Sequence, residues 1–345
     1  MRILISPKPS PKYSIGIFLQ RVAGELQRRR YQVTSLLFHF TGRTLMPWQQ
    51  AFIFGNPRHL PTLIASGKPF VITIGRPEIK EEDEALGFSY HLEHQQQEDA
   101  MVTTILQAPH IVFISHYVKG VWRDIFSRRN LLFPETRTAV VHHGVDLDQF
   151  SPIMKERNEP FVIGMAGQFR RVQGLVALLE ISRRLPFPHR LMLVGSMTPE
   201  YREVFDDGMK DPKIAACTIH IPWVKQQDLP QYYRRMHCFF HPNIGEPCGI
   251  VVAEALACGV PVVCPQYGGP AEFVLPDGGI AVASEPWDYG EGFVEGMERA
   301  IIQIHSNWDI YSRGARQQAT KYLSIANCVE AYLDIMSLPH SGVRN

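Results

Sequence analysis

Short runs of β-branched and aromatic residues alternate with longer stretches of helical period along nearly the whole chain. In the first half, residues 2–6, 32–38, 51–54, 70–74, 111–115 and 139–142 read as strands, with helical patterns such as 17–30 and 117–126 between them. The second half repeats the rhythm at 161–166, 191–194, 218–221, 238–241 and 261–264. Parallel neighbours need long connections, and right-twisted strands close them with one hand, so this alternation implies β-α-β crossovers and buried parallel sheets. The expected fold class is therefore α/β, with two Rossmann-like, doubly wound parallel-sheet domains. The polar, Pro-bounded segment 151–160 (SPIMKERNEP) is the expected break, giving domains 1–155 and 156–320. Residues 311–336 read as helical with no further strand, and 321–345 form a closing helical segment.

Length and composition agree with two globular domains: 345 residues, 45% hydrophobic and 20% charged. The net charge of +1, from 35 basic and 34 acidic side chains, excludes an overall field for nucleic acid. The apolar start Met1–Ser6 ends at Pro7-Lys8-Pro9 and is too short for a signal peptide. No apolar stretch approaches the roughly 20 residues of a membrane span. All six cysteines lie in the second half without a C-x-x-C pair, which suits buried thiols in a reducing cytoplasm. Arg21, Arg28, Arg29 and Arg30 follow an amphipathic pattern that reads as a solvated helix face, with weak peripheral membrane contact as the alternative.

Open α/β sheets bind ligands beyond the carboxyl ends of their strands, and glycines gather at those ends here: Gly16, Gly75, Gly144, Gly167, Gly195, Gly245 and Gly268-Gly269. The stretch 241–272, HPNIGEPCGIVVAEALACGVPVVCPQYGGPAE, carries the most chemistry. A strand ends near His241, a loop holds Glu246, and an apolar helix runs from about Gly249 to Cys258, stopped by Gly259 and Pro261. A helix N-terminus offers unpaired N–H groups and a positive dipole end to a phosphate. Glu246 before it and Glu254 within it could accept hydrogen bonds from a hexose and a ribose. Taken singly, Glu246 reads better as a favourable acid near a helix start and Glu254 as a solvated helix residue.

The frame E-P-C-G-x-x-x-x-E-A-L-A-C-G-V-P-V-V around Glu246 and Glu254 resembles the signature of retaining GT-B glycosyltransferases, especially glycosyltransferase family 4. Gly268-Gly269 with Glu272, His143-Gly144-Val145-Asp146 with Phe150, the opening RILIS strand and the Gly16 loop are similar to other parts of that family's pattern. The resemblance implies a GT-B fold with two domains facing a cleft and a closing helical segment that crosses back to the first. It implies a nucleoside-diphosphate-sugar donor in the second domain. A carbohydrate, lipid-linked or small-molecule hydroxyl acceptor would lie in the first, with no metal required. By position, Glu246 would contact the transferred sugar, Glu254 the ribose, and the N–H groups of Gly249, Ile250 and Val251 the sugar or diphosphate. The segment 220–224, ending at Val224, would frame the base, and Gly16 would face the donor from the first domain.

Two departures stand against the family pattern. Its G-R-L-x-x-x-K-G segment, whose cations clamp the diphosphate, is here Gly167-Gln168-Phe169-Arg170-Arg171-Val172-Gln173-Gly174. Gln168 and Gln173 donate hydrogen bonds but neutralise no charge. Arg170 and Arg171 either replace the lost cations or sit as solvated loop arginines. Gly75 stands where the family often has a histidine; Arg76, His91 and His94 follow it, and His142 and His143 read as structural. The expected function is retaining sugar transfer. A sugar-nucleotide-binding protein with a regulatory or partner-binding role is the alternative, and another sugar-nucleotide reaction such as epimerisation is disfavoured. A nicotinamide dehydrogenase is disfavoured further, since no G-x-G-x-x-G turn follows the first strand and no Walker loop appears.

Overall fold

The structure is a computed structural model that describes residues 2–6, 14–35, 51–54, 64, 70–75, 92–153 and 160–337. Sequence readings at residues 7–13, 36–38, Arg76, His91, 154–159 and 338–345 lie outside the described residues, as does the side chain of His94. The first elements are β1 (Arg2–Ser6), α1 (Ser14–Arg28), β2 (Gln32–Ser35), β3 (Ala51–Phe54) and β4 (Phe70–Ile74). They are followed by α2 (Leu92–Gln107), β5 (Ile111–Phe113), α3 (His116–Arg128) and β6 (Thr138–Val140). Next come β7 (Phe161–Ala166), α4 (Val172–Arg184), β8 (His189–Val194), α5 (Pro199–Gly208), α6 (Pro212–Cys217) and β9 (Thr218–Ile221). The chain closes with α7 (Leu229–Tyr233), β10 (Cys238–Phe240), α8 (Ile250–Ala257), β11 (Val262–Pro265), β12 (Gly279–Val282), α9 (Glu291–Ser306), α10 (Trp308–Tyr322) and α11 (Ile325–Ser337).

Two compact units form: residues 1–144 with 325–345, and residues 145–324. Each holds one six-stranded sheet, ordered β2-β1-β3-β4-β5-β6 in the first and β12-β11-β10-β7-β8-β9 in the second. Every described strand pair is parallel. In the second unit the chain winds outward from β7 through β8 to β9, then returns to lay β10 against the other side of β7. The order therefore reverses between β7 and β10, and a doubly wound sheet opens a crevice at such a switch point. Helix α8 (IVVAEALA) is apolar except at Glu254 and buried except at Val251, as a helix enclosed within a domain must be.

Several sequence readings change. The boundary between units falls after Gly144 rather than near residue 155, because Val145 is tied into the second unit: its N–H donates to the Leu323 carbonyl at 2.7 Å. Residues 311–336 are not one helical run. The chain breaks between α10 and α11, where Ser324 bridges Val145, and only α11 belongs to the first unit. Strand β12 was not anticipated; its sequence GIAV has no β-branched run, and the edge position comes from pairing with β11. Ser115 is not strand: its side chain caps α3, accepting the Val118 N–H at 3.1 Å. Helix α2, from Leu92, was not among the helical stretches read from the sequence. Gly16 lies in the first turn of α1 rather than in a loop.

The basic run of α1 is not a uniformly free face. Arg28 and Arg29 reach Glu25 at 3.0 and 2.8 Å. Arg29 also pairs with Glu330 and donates to the Ala326 carbonyl of α11 at 2.9 Å. On the same unit Thr73 of β4 and Tyr332 of α11 share a 2.9 Å buried hydrogen bond. No described helix is long and apolar enough to cross a membrane.

Candidate functional site

At the β7/β10 switch point the second unit holds a polar cavity of about 220 Å³. One wall is the turn after β7 with Gln168, Phe169, Arg170 and Arg171; the other is the end of β10 and its loop, with His241, Asn243 and Glu246. Tyr201 of α5 closes the back, its ring stacked on Phe169 at 5.3 Å. The turn after β7 is packed too tightly for side chains: a Cβ on Gly195 would lie 1.7 Å from the Gly167 carbonyl oxygen, and both glycines have positive φ.

The two arginines differ in how they are held. Arg171 directly precedes α4, donates through Nη1 to the Ile244 carbonyl at 2.7 Å, and lies 5.8 Å over the Trp287 ring. It thus bolts the β7 turn to the loop that carries Glu246. Arg170 is exposed and donates through Nη2 to Gln168 Oε1 at 2.6 Å, so its cation faces solvent at the cavity wall. Gln168 orients this arginine, a role that a cation at the same position could not fill. Gln173 lies in the first turn of α4 and is not part of the cavity lining.

Glu246 is held by a backbone frame. Gly245 N–H donates to the Tyr267 carbonyl and Gly269 N–H to the Glu246 carbonyl, both at 2.8 Å. Gly268 sits at φ 143°, where a Cβ would lie 3.1 Å from both N and O of Glu246. The Gly268-Gly269 turn is therefore the support beneath the acidic loop. Glu246 Oε1 accepts the Gly249 N–H at 3.3 Å, which places the carboxylate against the start of α8. The N–H groups of Ile250 and Val251 open that helix, where no intrahelical carbonyl is available to them.

Glu254 is neither solvated nor on the cavity wall. It is 1% exposed, and its oxygens accept hydrogen bonds from Gln226 Nε2 and Tyr233 Oη, each at 2.8 Å. Gln226 follows the loop that contains Val224, so Glu254 is linked to the segment expected to frame a base. Val224 is half-buried against the core of that layer, and His220 Nε2 contacts the Gly195 carbonyl at 2.9 Å. Burial holds His241 below its ordinary pKa; the Arg171 charge pushes the same way and Glu246 opposes it.

The structure thus gathers Gln168, Arg170, Arg171 and Glu246 around one cavity, with Gly249, Ile250 and Val251 at the adjoining helix start and Glu254 deeper on α8. Gly16 belongs to the other unit. There, Gly75 ends β4, its carbonyl accepting Trp122 Nε1 at 2.8 Å. His143 is buried, stacked on Phe18 at 3.9 Å, and burial, with Arg21 and His142 nearby, lowers its pKa to about 3. Asp146 accepts the N–H groups of Asp148 and Gln149 at 3.1 and 3.2 Å, and Phe150 is buried in the second unit. Tyr201, Gln226, Tyr233 and His241 are site neighbours that sequence reasoning missed. Among the described residues, no group of three or more His, Cys, Asp and Glu is placed to hold a metal ion.

Two Rossmann-like units, each with its own parallel sheet, define the GT-B class. Residues 148–311 match the family model described as Glycosyl transferases group 1, a stretch that falls within the second unit. A curated relative is the D-inositol 3-phosphate glycosyltransferase of Mycobacteroides abscessus, 31% identical over 143 residues, which are 39% of this chain. The match spans about a third, 32%, of that relative's length. Among solved structures, sucrose-phosphate synthase from Thermosynechococcus elongatus superposes with a TM-score of 0.72 at 14% identity, over 97% of each chain. Alr3699/HepE of Anabaena in complex with UDP also gives 0.72 at 14% identity, over 97% of this chain and 99% of that one. At these identities the likeness establishes the fold.

Proposed function

We propose that this protein is a retaining glycosyltransferase of family 4 type that moves a sugar from a nucleoside-diphosphate donor to a hydroxyl acceptor. The observation that carries the reading is the convergence of Arg170, Arg171 and Glu246 on the cavity at the β7/β10 switch point, beside the start of α8. In this reading the exposed Arg170 and the first N–H groups of α8 stabilise the charge on the departing diphosphate. Arg171 holds the two loops in register. Glu246 accepts hydrogen bonds from hydroxyls of the transferred sugar. Catalysis is then positioning and charge stabilisation within one preorganised site, the departing phosphate helping to deprotonate the acceptor.

A ribose diol that contacts Glu254 would share a carboxylate that already accepts from Gln226 on Oε1 and from Tyr233 on Oε2. The acceptor, a carbohydrate, lipid-linked or small-molecule hydroxyl, is assigned to the first unit, and no metal takes part. The relatives' names support the sugar-transfer class: one is a glycosyltransferase, and one structural neighbour was crystallised with UDP. We place the reaction in the cytoplasm.

The test is a thermal-shift panel of nucleotide sugars followed by transfer assays with the stabilising donor. A bound donor raises the melting temperature by mass action. Absence of any stabilising nucleotide sugar would sink the assignment. Stabilisation with no transfer to any hydroxyl acceptor would favour a binding role instead.

A further inference from the structure

At the opposite end of the second sheet from the cavity, three side chains meet that sugar transfer does not use. His189 opens β8, Ser182 lies in the last turn of α4, and Cys217 ends α6. His189 Nδ1 lies 2.9 Å from the Phe187 carbonyl oxygen, which can only accept, so Nδ1 carries the proton and Nε2 is left as a base. Ser182 Oγ stands 2.8 Å from that Nε2 and 3.9 Å from Cys217 Sγ, which itself lies 3.3 Å from the Ile214 carbonyl. The Cys217 thiol donates to the Ile214 carbonyl; turned to Ser182 instead, it has a path for its proton to the imidazole through the serine hydroxyl.

Cys217 is the one cysteine of six that is not buried. Neighbouring charges do not disturb the arrangement: Arg183 of α4 is paired with Asp211 at the start of α6, 3.0 Å apart, and His305 stacks on the Phe187 ring at 3.6 Å. The Thr218 hydroxyl donates to the Ile214 carbonyl at 2.7 Å. Burial raises the Cys217 pKa, but contact with His189 and Ser182 outweighs it and leaves the thiol below its ordinary value. Burial pushes Cys258, Cys264 and Cys328 up to about 12, and these thiols stay protonated.

We propose that Cys217 is a reactive thiol, with His189 as its base acting through Ser182, that exchanges with low-molecular-mass disulfides. The Cys217 proton moves to His189 Nε2, and the thiolate attacks one sulfur of the disulfide. A new S–S bond to Cys217 forms as the old one breaks, and the leaving thiolate takes the proton from His189. The disulfide is the oxidant, and the products are one mixed disulfide and one free thiol.

The test treats the intact chain with 4,4′-dithiodipyridine, follows the released thiopyridone, and maps the modified peptide. One fast thiol is expected, at Cys217, with its rate rising through a midpoint below that of an ordinary thiol. His189→Gln should slow labelling at neutral pH several-fold and move the midpoint of the rate profile to higher pH. Ser182→Ala should shift the profile the same way and decides the matter if His189→Gln does not fold. A fast thiol elsewhere, no reaction in the folded protein, or a pH profile unmoved in the folded variants would overturn the proposal.

Discussion

Tyr233 donates its buried hydroxyl to Glu254 Oε2 at 2.8 Å, so the second acid of the E-x7-E frame is fastened inside the domain. Gln226 takes the other oxygen, and removing the carboxylate would strand both donors. Glu254→Ala should therefore lower stability by about 1–3 kcal/mol, whatever its part in donor binding. Denaturant unfolding of Glu254→Ala, Tyr233→Phe and the double variant is expected to be non-additive, because the two residues share one bond. An additive result would place the energy of Glu254 elsewhere.

Arg170 and Arg171 should separate by readout. Arg170→Ala removes an exposed cation and is expected to reduce turnover by about 10²-fold, the scale of one lost transition-state donor, with the melting temperature unchanged. Arg171→Ala loses the bond to the Ile244 carbonyl and should lower both turnover and melting temperature. Calorimetry beside a transfer assay checks both.

Placing an arginine at residue 168, as in the glycosyltransferase pattern that the segment resembles, should not raise activity. Gln168 accepts from Arg170, and a second cation in its place would repel that side chain. Gln168→Arg is expected to lower turnover, and Gln168→Arg with Arg170→Ala to recover part of it. A gain in turnover from Gln168→Arg alone would contradict this assignment.

Gly268→Ala forces a side chain into positive φ against the backbone of Glu246. Such strain costs about 1–3 kcal/mol, and here its relief shifts the acidic loop. Donor KM should rise together with the loss of stability, measured by kinetics and thermal melts on the same sample.

His143 predicts an acid-side loss of stability. Its pKa falls from 6.5 in the unfolded chain to about 3 in the fold, so between these values the unfolded state binds the extra proton. Its stabilising contribution is present above pH 6.5 and is lost as pH falls towards 3, at up to about 1.4 kcal/mol per pH unit. His143→Asn should flatten that slope in urea unfolding between pH 7 and 5; an unchanged slope would mean that other groups dominate it.

Much of the fold was legible because strand runs such as Phe161–Ala166 and Phe70–Ile74 are buried on both faces and read as continuous apolar segments. β12 escaped because Gly279–Val282 is an edge whose identity comes from its partner β11. Gly16 and the helix from Leu92 escaped because glycine and polar residues carry little helical signal of their own.

By itself the sequence determined the α/β class, the two-unit plan and the neighbourhood of Glu246, since local periodicity and helix punctuation are encoded in adjacent residues. Only the tertiary structure decided how each site residue is held. It bolted Arg171 to Ile244, gave Arg170 to Gln168, closed Tyr233 and Gln226 on Glu254, and brought Ser182, His189 and Cys217 together. Most of these contacts join residues far apart in the chain, and their geometry follows from strand order and packing, which no local spacing records.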